Sequence, residues 1–168
     1  IRHILVRQES AAAHSANGYA RVSGKTGVCI ATSGPGATNL ITGVATAYMD
    51  SIPLVVLTGQ VPSSMIGRDV FQEADIKGAT ESFTKHNYLV RDAKDLPRIF
   101  REAFHIASTG RPGPVLIDLP HDIQAADIPY SYPETVHISG YKPTVKGHEG
   151  QIKRALKAIA ESERPLIL

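Results

Sequence analysis

The residues of this sequence that are best suited to chemistry follow short apolar runs. Glu9 stands where the run IRHILV gives way to an alanine-rich stretch, and the turn TSGPG at residues 32–36 follows a second run. A third run leads into GQVPSSMIGRDVFQEAD, residues 59–75. A carboxylate can transfer protons, amides at a glycine-rich turn can hold an anion or a polar ligand edge, and loops after strands often carry binding residues.

Glu9 has two interpretations on spacing alone. An acidic residue in the first turn of a helix gains about 0.3–1 kcal/mol from the helix dipole, and spacing favours this ordinary role. The apolar run before Glu9 and the alanines after it also predict dry surroundings, in which burial raises the pKa of a carboxyl group and lets it donate or share a proton. Both interpretations place Glu9 between a strand and a helix.

The two other segments also have ordinary interpretations. TSGPG fits a tight turn before a helix, and the dinucleotide-binding fingerprint fails because Asn39 occupies the position of its third glycine. Residues 59–75, with Gln60, Pro62, Phe71 and Gln72, also fit a solvated connector in which Phe71 is an anchor. Neither segment establishes a site by itself.

The elements that must position these residues alternate along the chain. Strands are predicted from the apolar runs at residues 1–6, 27–33, 52–59 and 113–120, with a weaker one in NYLVRD at 87–92. Helices are predicted over residues 10–23, 37–49 and 95–108, the last with Asp95 as its N-cap. This order indicates an α/β fold, a parallel sheet flanked by helices, with ligands bound beyond the carboxyl ends of the strands.

The remaining stretches predict connections rather than chemistry. Small residues in 37–49 predict close contact with another helix, in this chain or in a second subunit. Residues 121–146 are aperiodic and contain several prolines, which is typical of a linker, and GHEGQIKRALKAIAESER predicts a surface helix that leads into another domain. A chain that starts with Ile inside an apolar run and stops in RPLIL is expected to be a piece of a longer protein.

Composition excludes several classes of protein. The chain has 168 residues and a formal net charge of +2, without the Lys/Arg run of a nucleic-acid-binding surface. No apolar run reaches the length of a membrane span. The seven histidines show no ligand spacing, so no metal site is expected within the chain. The single cysteine, Cys29, cannot form an internal disulfide, which favours a reducing cytoplasm.

Several long motifs, in order, carry a resemblance to a known family. RQESAAAHSANGYARVSGKTGVCIATSGPGATNLITGVATAYMDSIPLVVLTGQVP, FQEAD, KHNYLV and STGRPGPVLIDLP resemble the acetohydroxyacid synthase (acetolactate synthase) large subunit, a thiamine-diphosphate-dependent transferase. The resemblance implies a pyrimidine-binding domain over residues 1–128 that lacks its front, a linker over 129–146, and the start of a central FAD-associated domain over 147–168. It also implies a bacterial cytoplasmic enzyme of branched-chain amino acid biosynthesis.

The resemblance implies a function for the longer protein. Pyruvate is decarboxylated on thiamine diphosphate, and the two-carbon unit is condensed with a second 2-keto acid, pyruvate or 2-ketobutyrate, to give 2-acetolactate or 2-aceto-2-hydroxybutyrate. The ligands of the cofactor's magnesium ion and most of the FAD site would lie outside this chain, so the chain alone is expected to be inactive. The expected partners are copies of itself in a homodimer or homotetramer, which completes the active site, and a possible small regulatory subunit.

Site residues are transferred position by position, as the resemblance implies. Glu9 matches the glutamate that hydrogen-bonds the aminopyrimidine ring and promotes the tautomer that removes the thiazolium proton. Pro35 and Asn39 match residues that line the pyrimidine pocket, and Gln72 matches a glutamine beside the reacting ring. Glu9 and Gln72 are thus the expected catalytic residues.

Further positions match the substrate channel and the FAD site. Pro62, Phe71 and Lys85 match channel residues, and Lys85 is expected at the mouth of the channel. Ser51 and Arg111 match positions that contact FAD.

The sequence departs from the family pattern at three positions and leaves rival interpretations open. Gln8, Val70 and His121 stand where the family usually has His, Ala and Lys, which bears on channel shape and inhibitor contacts. Glyoxylate carboligase shares the cofactors but has an apolar residue where Glu9 stands. Another thiamine-diphosphate-dependent decarboxylase or oxidase, such as pyruvate oxidase, and a non-catalytic dimerisation module of the same fold are the remaining alternatives.

Overall fold

The computed structural model describes residues 1–166. The last two residues of the chain, which end both the expected central-domain segment 147–168 and the run RPLIL, lie outside this range. Its elements in chain order are α1 (Glu9–Ser23), β1 (Gly27–Ala31), α2 (Pro35–Asn39), α3 (Ile41–Met49), β2 (Leu54–Gln60), α4 (Ile76–Thr80), β3 (His86–Leu89), α5 (Leu96–Ser108), β4 (Pro114–Pro120), α6 (His121–Gln124) and α7 (Glu149–Ala160). Single 3₁₀ turns lie at Ser63–Met65, Glu81–Phe83 and Ala93–Asp95.

The four strands form one parallel sheet in the order β1-β2-β4-β3. The central strands β2 and β4 are runs of branched aliphatic residues, which suits strands that are covered on both faces. Val55 and Val56 of β2 and Val115 and Ile117 of β4 are all fully buried. The predicted α/β class with a parallel sheet and flanking helices is therefore confirmed.

Alternate residues of β2 and β4 belong to two separate apolar cores. Leu54, Val56 and Leu116 pack with α1 and α3 on one face of the sheet. On the other face, the apolar stripe of α5 packs against Val55, Val115 and Ile117. This stripe consists of Ile99, Ala103, Ile106 and Ala107. The face that carries α1 and α3 leads directly to the residues with predicted chemical roles.

Helices α1 and α3 are in close contact. A Cβ atom added at Gly43 would lie only 2.4 Å from the Cβ atom of Ala13. The prediction that the small residues of this helix allow close helix contact is confirmed, and the contacting helix is α1 of the same chain. The predicted single helix over 37–49 is instead two helices that meet at Leu40.

The predicted strand at residues 1–6 is wrong. These residues join none of the four strands, and the side chains of Ile1, Ile4 and Leu5 are exposed. A strand needs a hydrogen-bonded neighbour as well as an apolar sequence, and this run has none. Glu9 accordingly follows an exposed extended segment, not the end of a strand.

Two other predictions need correction in detail. Asp95 precedes α5 but forms no side-chain cap, because its carboxylate accepts a hydrogen bond from Arg98 at 2.9 Å instead. Residues 129–146 contain no helix or strand, yet Ile138 and Tyr141 pack against the core under α5. The helix predicted near the C-terminus is confirmed as α7, and all of its residues are exposed. The three domain boundaries stay predictions.

Candidate functional site

Glu9 and Asn39, two residues singled out from the sequence, are in direct contact. Glu9 is the first residue of α1 and Asn39 is the last residue of α2. The Asn39 side-chain amide donates a hydrogen bond of 3.0 Å from Nδ2 to Oε2 of Glu9. The fold thus brings together a carboxylate and an amide that are 30 residues apart in sequence.

The expectation of a raised pKa for Glu9 is wrong for this chain. The side chain is partly exposed, and the hydrogen bond from Asn39, followed by one from the Glu9 backbone N–H, holds the pKa of its carboxyl group below the ordinary value. Hydrogen bonds to the ionised form favour that form. Glu9 is therefore an ionised carboxylate at neutral pH, and it can accept a hydrogen bond from a bound polar ring.

Gly36 packs closely against Thr32 beside Glu9. A Cβ atom at Gly36 would lie 3.5 Å from Oε1 of Glu9 and 2.7 Å from Cγ2 of Thr32. Pro35, the first residue of α2, is exposed next to this glycine. Position 36 thus has no room for a side chain, and the partly exposed Glu9 carboxylate is free to face the aminopyrimidine ring that the resemblance implies.

The turn TSGPG also contacts the loop that carries Gln72. Gly34 has φ 59° and ψ −121°, a conformation that is essentially restricted to glycine. A Cβ atom there would lie 2.9 Å from both Cα and the carbonyl oxygen of Gln72. Gln72 is itself left-handed, with φ 61°, and its side chain is exposed. The loop backbone thus lies against the turn that leads into Pro35.

The ends of the loop between β2 and α4 are held together by side chains. Nε2 of Gln60 donates to the carbonyl oxygen of Ala74 at 2.8 Å, which closes the loop and keeps Pro62 and Gln72 near its base. The Glu73 carboxylate accepts hydrogen bonds from the backbone amides of Gly67 and Val70. Both hydrogen bonds lower the pKa of Glu73, and the bond from Gly67 has the larger effect.

Phe71 and Pro62 occupy different settings in this loop. Phe71 is 89% exposed, so the interpretation of Phe71 as an anchor of a solvated connector is wrong. Pro62 precedes a 3₁₀ turn, whose first residue, Ser63, donates from its amide to Oδ1 of Asp122 at 2.8 Å. The exposed aromatic ring is available for contact with a ligand or with another chain.

A buried carboxylate below the loop was missed by the sequence interpretation. Asp118 of β4 is 1% exposed, and it accepts from the Thr58 hydroxyl at 2.7 Å and from Nε2 of Gln60 at 3.0 Å. Burial is the main cause that raises the pKa of Asp118 to about 6, and the charge of Asp75 acts in the same direction. The hydrogen bonds from Thr58 and Gln60 act in the opposite direction and lower the pKa. The available signal was one acidic residue inside the apolar run VLIDL, which was interpreted only as a strand.

Ser51 and Arg111 contact each other at the opposite edge of the sheet, where β2 and β4 begin. Nε of Arg111 donates to the Ser51 hydroxyl at 2.8 Å, and the same guanidinium group donates to the Met49 carbonyl at 3.2 Å. Ser51 has φ 60°, a left-handed backbone conformation. The two residues expected at an FAD site thus form one cluster, and their role stays a prediction.

Lys85 also lies at that opposite edge, directly before β3, and the structure does not bring it to Pro62 or Phe71. Its ammonium group donates to the Ile106 carbonyl, to the Thr109 carbonyl at 2.6 Å and to the Tyr141 hydroxyl at 3.1 Å. Within this chain Lys85 joins the end of α5 to the segment that contains Tyr141. Its placement at a channel mouth stays a prediction.

The described residues lack a metal-binding cluster and a membrane-spanning helix. Residues 1–166 contain no group of three or more His, Cys, Asp or Glu side chains that could hold a metal ion. Within the same range, no helix combines the length and the apolar character needed to cross a membrane.

The chain is similar to known proteins over nearly all of its length. Residues 1–79 match a family described as the thiamine pyrophosphate enzyme, N-terminal TPP binding domain. The chain is 57% identical to the acetolactate synthase large subunit of Buchnera aphidicola subsp. Schizaphis graminum, over 99% of this chain and 30% of that protein. It is 58% identical to a probable acetolactate synthase large subunit of Methanocaldococcus jannaschii, over 99% of this chain and 29% of that protein.

A third relative gives the same proportions. The chain is 56% identical to an acetolactate synthase of Mycobacterium leprae, over 99% of this chain and 27% of that protein. The chain therefore spans about three tenths of the length of these relatives.

Proposed function

We propose that the chain is the pyrimidine-binding part of an acetolactate synthase large subunit, because residues 1–79 match the model of the thiamine pyrophosphate enzyme N-terminal TPP binding domain. The longer protein would decarboxylate pyruvate and condense the two-carbon unit with pyruvate or 2-ketobutyrate. The observation that carries this proposal is the partly exposed Glu9 carboxylate, which Asn39 holds through a hydrogen bond of 3.0 Å.

Bound thiamine diphosphate would supply the carbon nucleophile for this chemistry. The Glu9 carboxylate would accept a hydrogen bond from the protonated ring nitrogen of the imino form of the aminopyrimidine, and Asn39 would hold the carboxylate in place. Pro35 and Gly36 would border the ring. Gln72, whose backbone lies against Gly34, would lie near the ring as well. The low pKa of Glu9 in the isolated chain keeps it ionised, and enclosure by a second subunit would remove the water around it.

The remaining residue roles are part of the same proposal. Pro62 and Phe71 would line the substrate channel, with Lys85 at its mouth, and the Ser51–Arg111 cluster would contact FAD. The magnesium ligands and most of the FAD site would lie in other parts of the longer protein. We place that protein in a bacterial cytoplasm, which is supported by a single, buried, free cysteine, Cys29.

We also propose a homodimer or homotetramer, with a small regulatory subunit as a possible further partner. The small-residue helix α3 needs no second subunit to cover it, because Gly43 packs against Ala13 of α1, and Val44 and Ala47 are buried within this chain. The support for an oligomer is instead that the Glu9 side chain is partly exposed and that Phe71 is exposed. A second subunit would cover both.

The test is product formation by the longer protein that contains this chain, supplied with thiamine diphosphate, Mg²⁺, FAD and pyruvate. We expect acetolactate, a loss of about 10²- to 10⁴-fold in kcat for Glu9→Gln, and no change for Glu149→Gln at the exposed start of α7. Product from glyoxylate in place of pyruvate would favour the carboligase alternative, and no product from either would favour a non-catalytic module. The chain alone should form no acetolactate.

A further inference from the structure

The sheet face under the site changes from apolar to polar near the carboxyl ends of its central strands. Leu54 and Val56 of β2 belong to the apolar core, whereas Thr58 and Gln60, which point to the same face, are polar and buried. Thr58 is paired in register with Asp118 of β4, so the three polar side chains are neighbours on one face. This buried group lies below the loop that carries Phe71 and Gln72.

Gln60 uses both ends of its amide in this group. Nε2 donates to Oδ2 of Asp118 at 3.0 Å and to the carbonyl oxygen of Ala74 at 2.8 Å, and Oε1 accepts from the amide of Val61 at 2.9 Å. The Asp118 carboxylate, together with the Ala74 carbonyl and the Val61 amide, fixes the orientation of the Gln60 amide. Its other oxygen is held by Thr58 at 2.7 Å.

The loop needs such an anchor, because its conformation is not the one the chain prefers. Gln72 and Asp69 both have positive φ, 61° and 53°, a region that side chains other than glycine rarely adopt unless their surroundings impose it. Ala74, which Gln60 holds, is two residues after Gln72. Ile76, which is 1% exposed, donates to the same Ala74 carbonyl at 2.8 Å, so the anchor is joined to the core.

Packing of the sheet alone does not account for Asp118. Its neighbours along β4, Ile117 and Leu119, are aliphatic, and burial there disfavours the charged form, which is why its pKa is raised to about 6. A carboxyl group kept in such a place, bonded to a glutamine that reaches a loop of the site, has the features of a functional group.

We propose that Asp118 and Gln60 are positioning residues, with Asp118 orienting Gln60 so that Gln60 holds the loop at Ala74 and keeps Gln72 against Gly34. The effect on turnover rests on the proposed function, whereas the effect on the loop does not. Asp118 and Gln60 need no contact with the cofactor or the substrate.

The test compares two buried substitutions in the longer protein that contains this chain. Gln60→Met keeps the approximate shape and removes both donated bonds, whereas Thr58→Val removes one bond to Asp118 and leaves the contact with Ala74 intact. Amide hydrogen exchange is measured for a peptide that covers residues 71–76, and kcat and KM for pyruvate are measured in parallel. Asp118→Asn serves as the conservative variant, because one side-chain oxygen remains to accept from Gln60.

We expect exchange in residues 71–76 to become at least about tenfold faster in Gln60→Met, with kcat reduced at least tenfold, and to stay near the wild-type rate in Thr58→Val and Asp118→Asn. Unchanged exchange in Gln60→Met would overturn the anchor, and faster exchange with unchanged kcat would overturn the link to turnover. If the wild-type protein formed no acetolactate, the proposed function would fail, and the exchange rates would still decide whether the anchor exists.

Discussion

Gly43→Ala tests the helix contact that sets the geometry of Glu9. The added methyl carbon would lie 2.4 Å from Cβ of Ala13, whereas two such carbons pack at about 3.5–4.0 Å, so α1 and α3 would have to separate by about 1 Å. Overpacking of this kind costs about 1–3 kcal/mol, and the better helix propensity of alanine returns about 0.5–1 kcal/mol. We expect a net loss of up to about 2.5 kcal/mol in the free energy of unfolding.

Gly18→Ala is the matched control, since it makes the same chemical change within α1. Gly18 is exposed, and a Cβ atom there would meet nothing within 4 Å. This variant should gain about 0.5–1 kcal/mol. Equilibrium urea unfolding of the 168-residue chain, followed by circular dichroism, measures both. Stabilisation of the same size in the two variants would refute the close contact between α1 and α3.

Gly43→Ala should also change the hydrogen bond between Glu9 and Asn39. Ala13 is one helical turn after Glu9, and Gly43 is four residues after Asn39, so separation of the helices would lengthen the 3.0 Å bond between Glu9 and Asn39. Because that bond is the main cause of the lowered pKa of Glu9, the pKa should rise in Gly43→Ala and stay unchanged in Gly18→Ala. An NMR titration of the Glu9 carboxyl measures it, and equal pKa values in both variants would contradict the coupling.

Two further predictions concern buried and partly buried charges. Burial, with Asp75 as a charged neighbour, raises the pKa of Asp118 from 3.8 to about 6. The folded chain therefore binds this proton more tightly than the unfolded chain does. The resulting stabilisation of the folded chain is complete below about pH 4 and is lost as the pH rises through about 6. The stability of the wild type relative to Asp118→Asn should therefore fall by up to about 3 kcal/mol between about pH 4 and pH 8 in urea unfolding, and a pH-independent difference would contradict this. Lys85→Met should cost about 1.5–3 kcal/mol, because its ammonium group holds two carbonyls and the Tyr141 hydroxyl. Lys153→Met on the exposed α7 should change stability by less than about 0.5 kcal/mol, and equal losses would argue against the role of Lys85.

The sequence predicted the elements whose signal is local. Continuous branched residues identified β2 and β4, and the helical spacing of Ile99, Ala103 and Ala107 identified α5. Residues 1–6 carried a similar apolar signal and failed, because strand formation depends on a neighbouring strand that a one-dimensional pattern does not reveal.

The site depended on contacts between distant positions. Spacing suggested Glu9 and the TSGPG turn as separate features, but not that Asn39 would bond Glu9 across 30 residues. The lowered pKa of Glu9 follows from that bond, so an expectation based on apolar neighbours in sequence gave the wrong direction. Asp118 was missed because its partners, Thr58 and Gln60, are on another strand, 60 and 58 residues away.

The most direct test of the central claim is the rate at which the thiazolium carbon of bound thiamine diphosphate exchanges its proton for deuterium. It is measured in the longer protein that contains this chain, with saturating cofactor and Mg²⁺, for the wild type and for Glu9→Gln. If Glu9 acts on the aminopyrimidine ring, exchange in Glu9→Gln should be slower by about 10²- to 10⁴-fold. Equal exchange rates with the cofactor bound in both proteins would contradict the proposed role of Glu9.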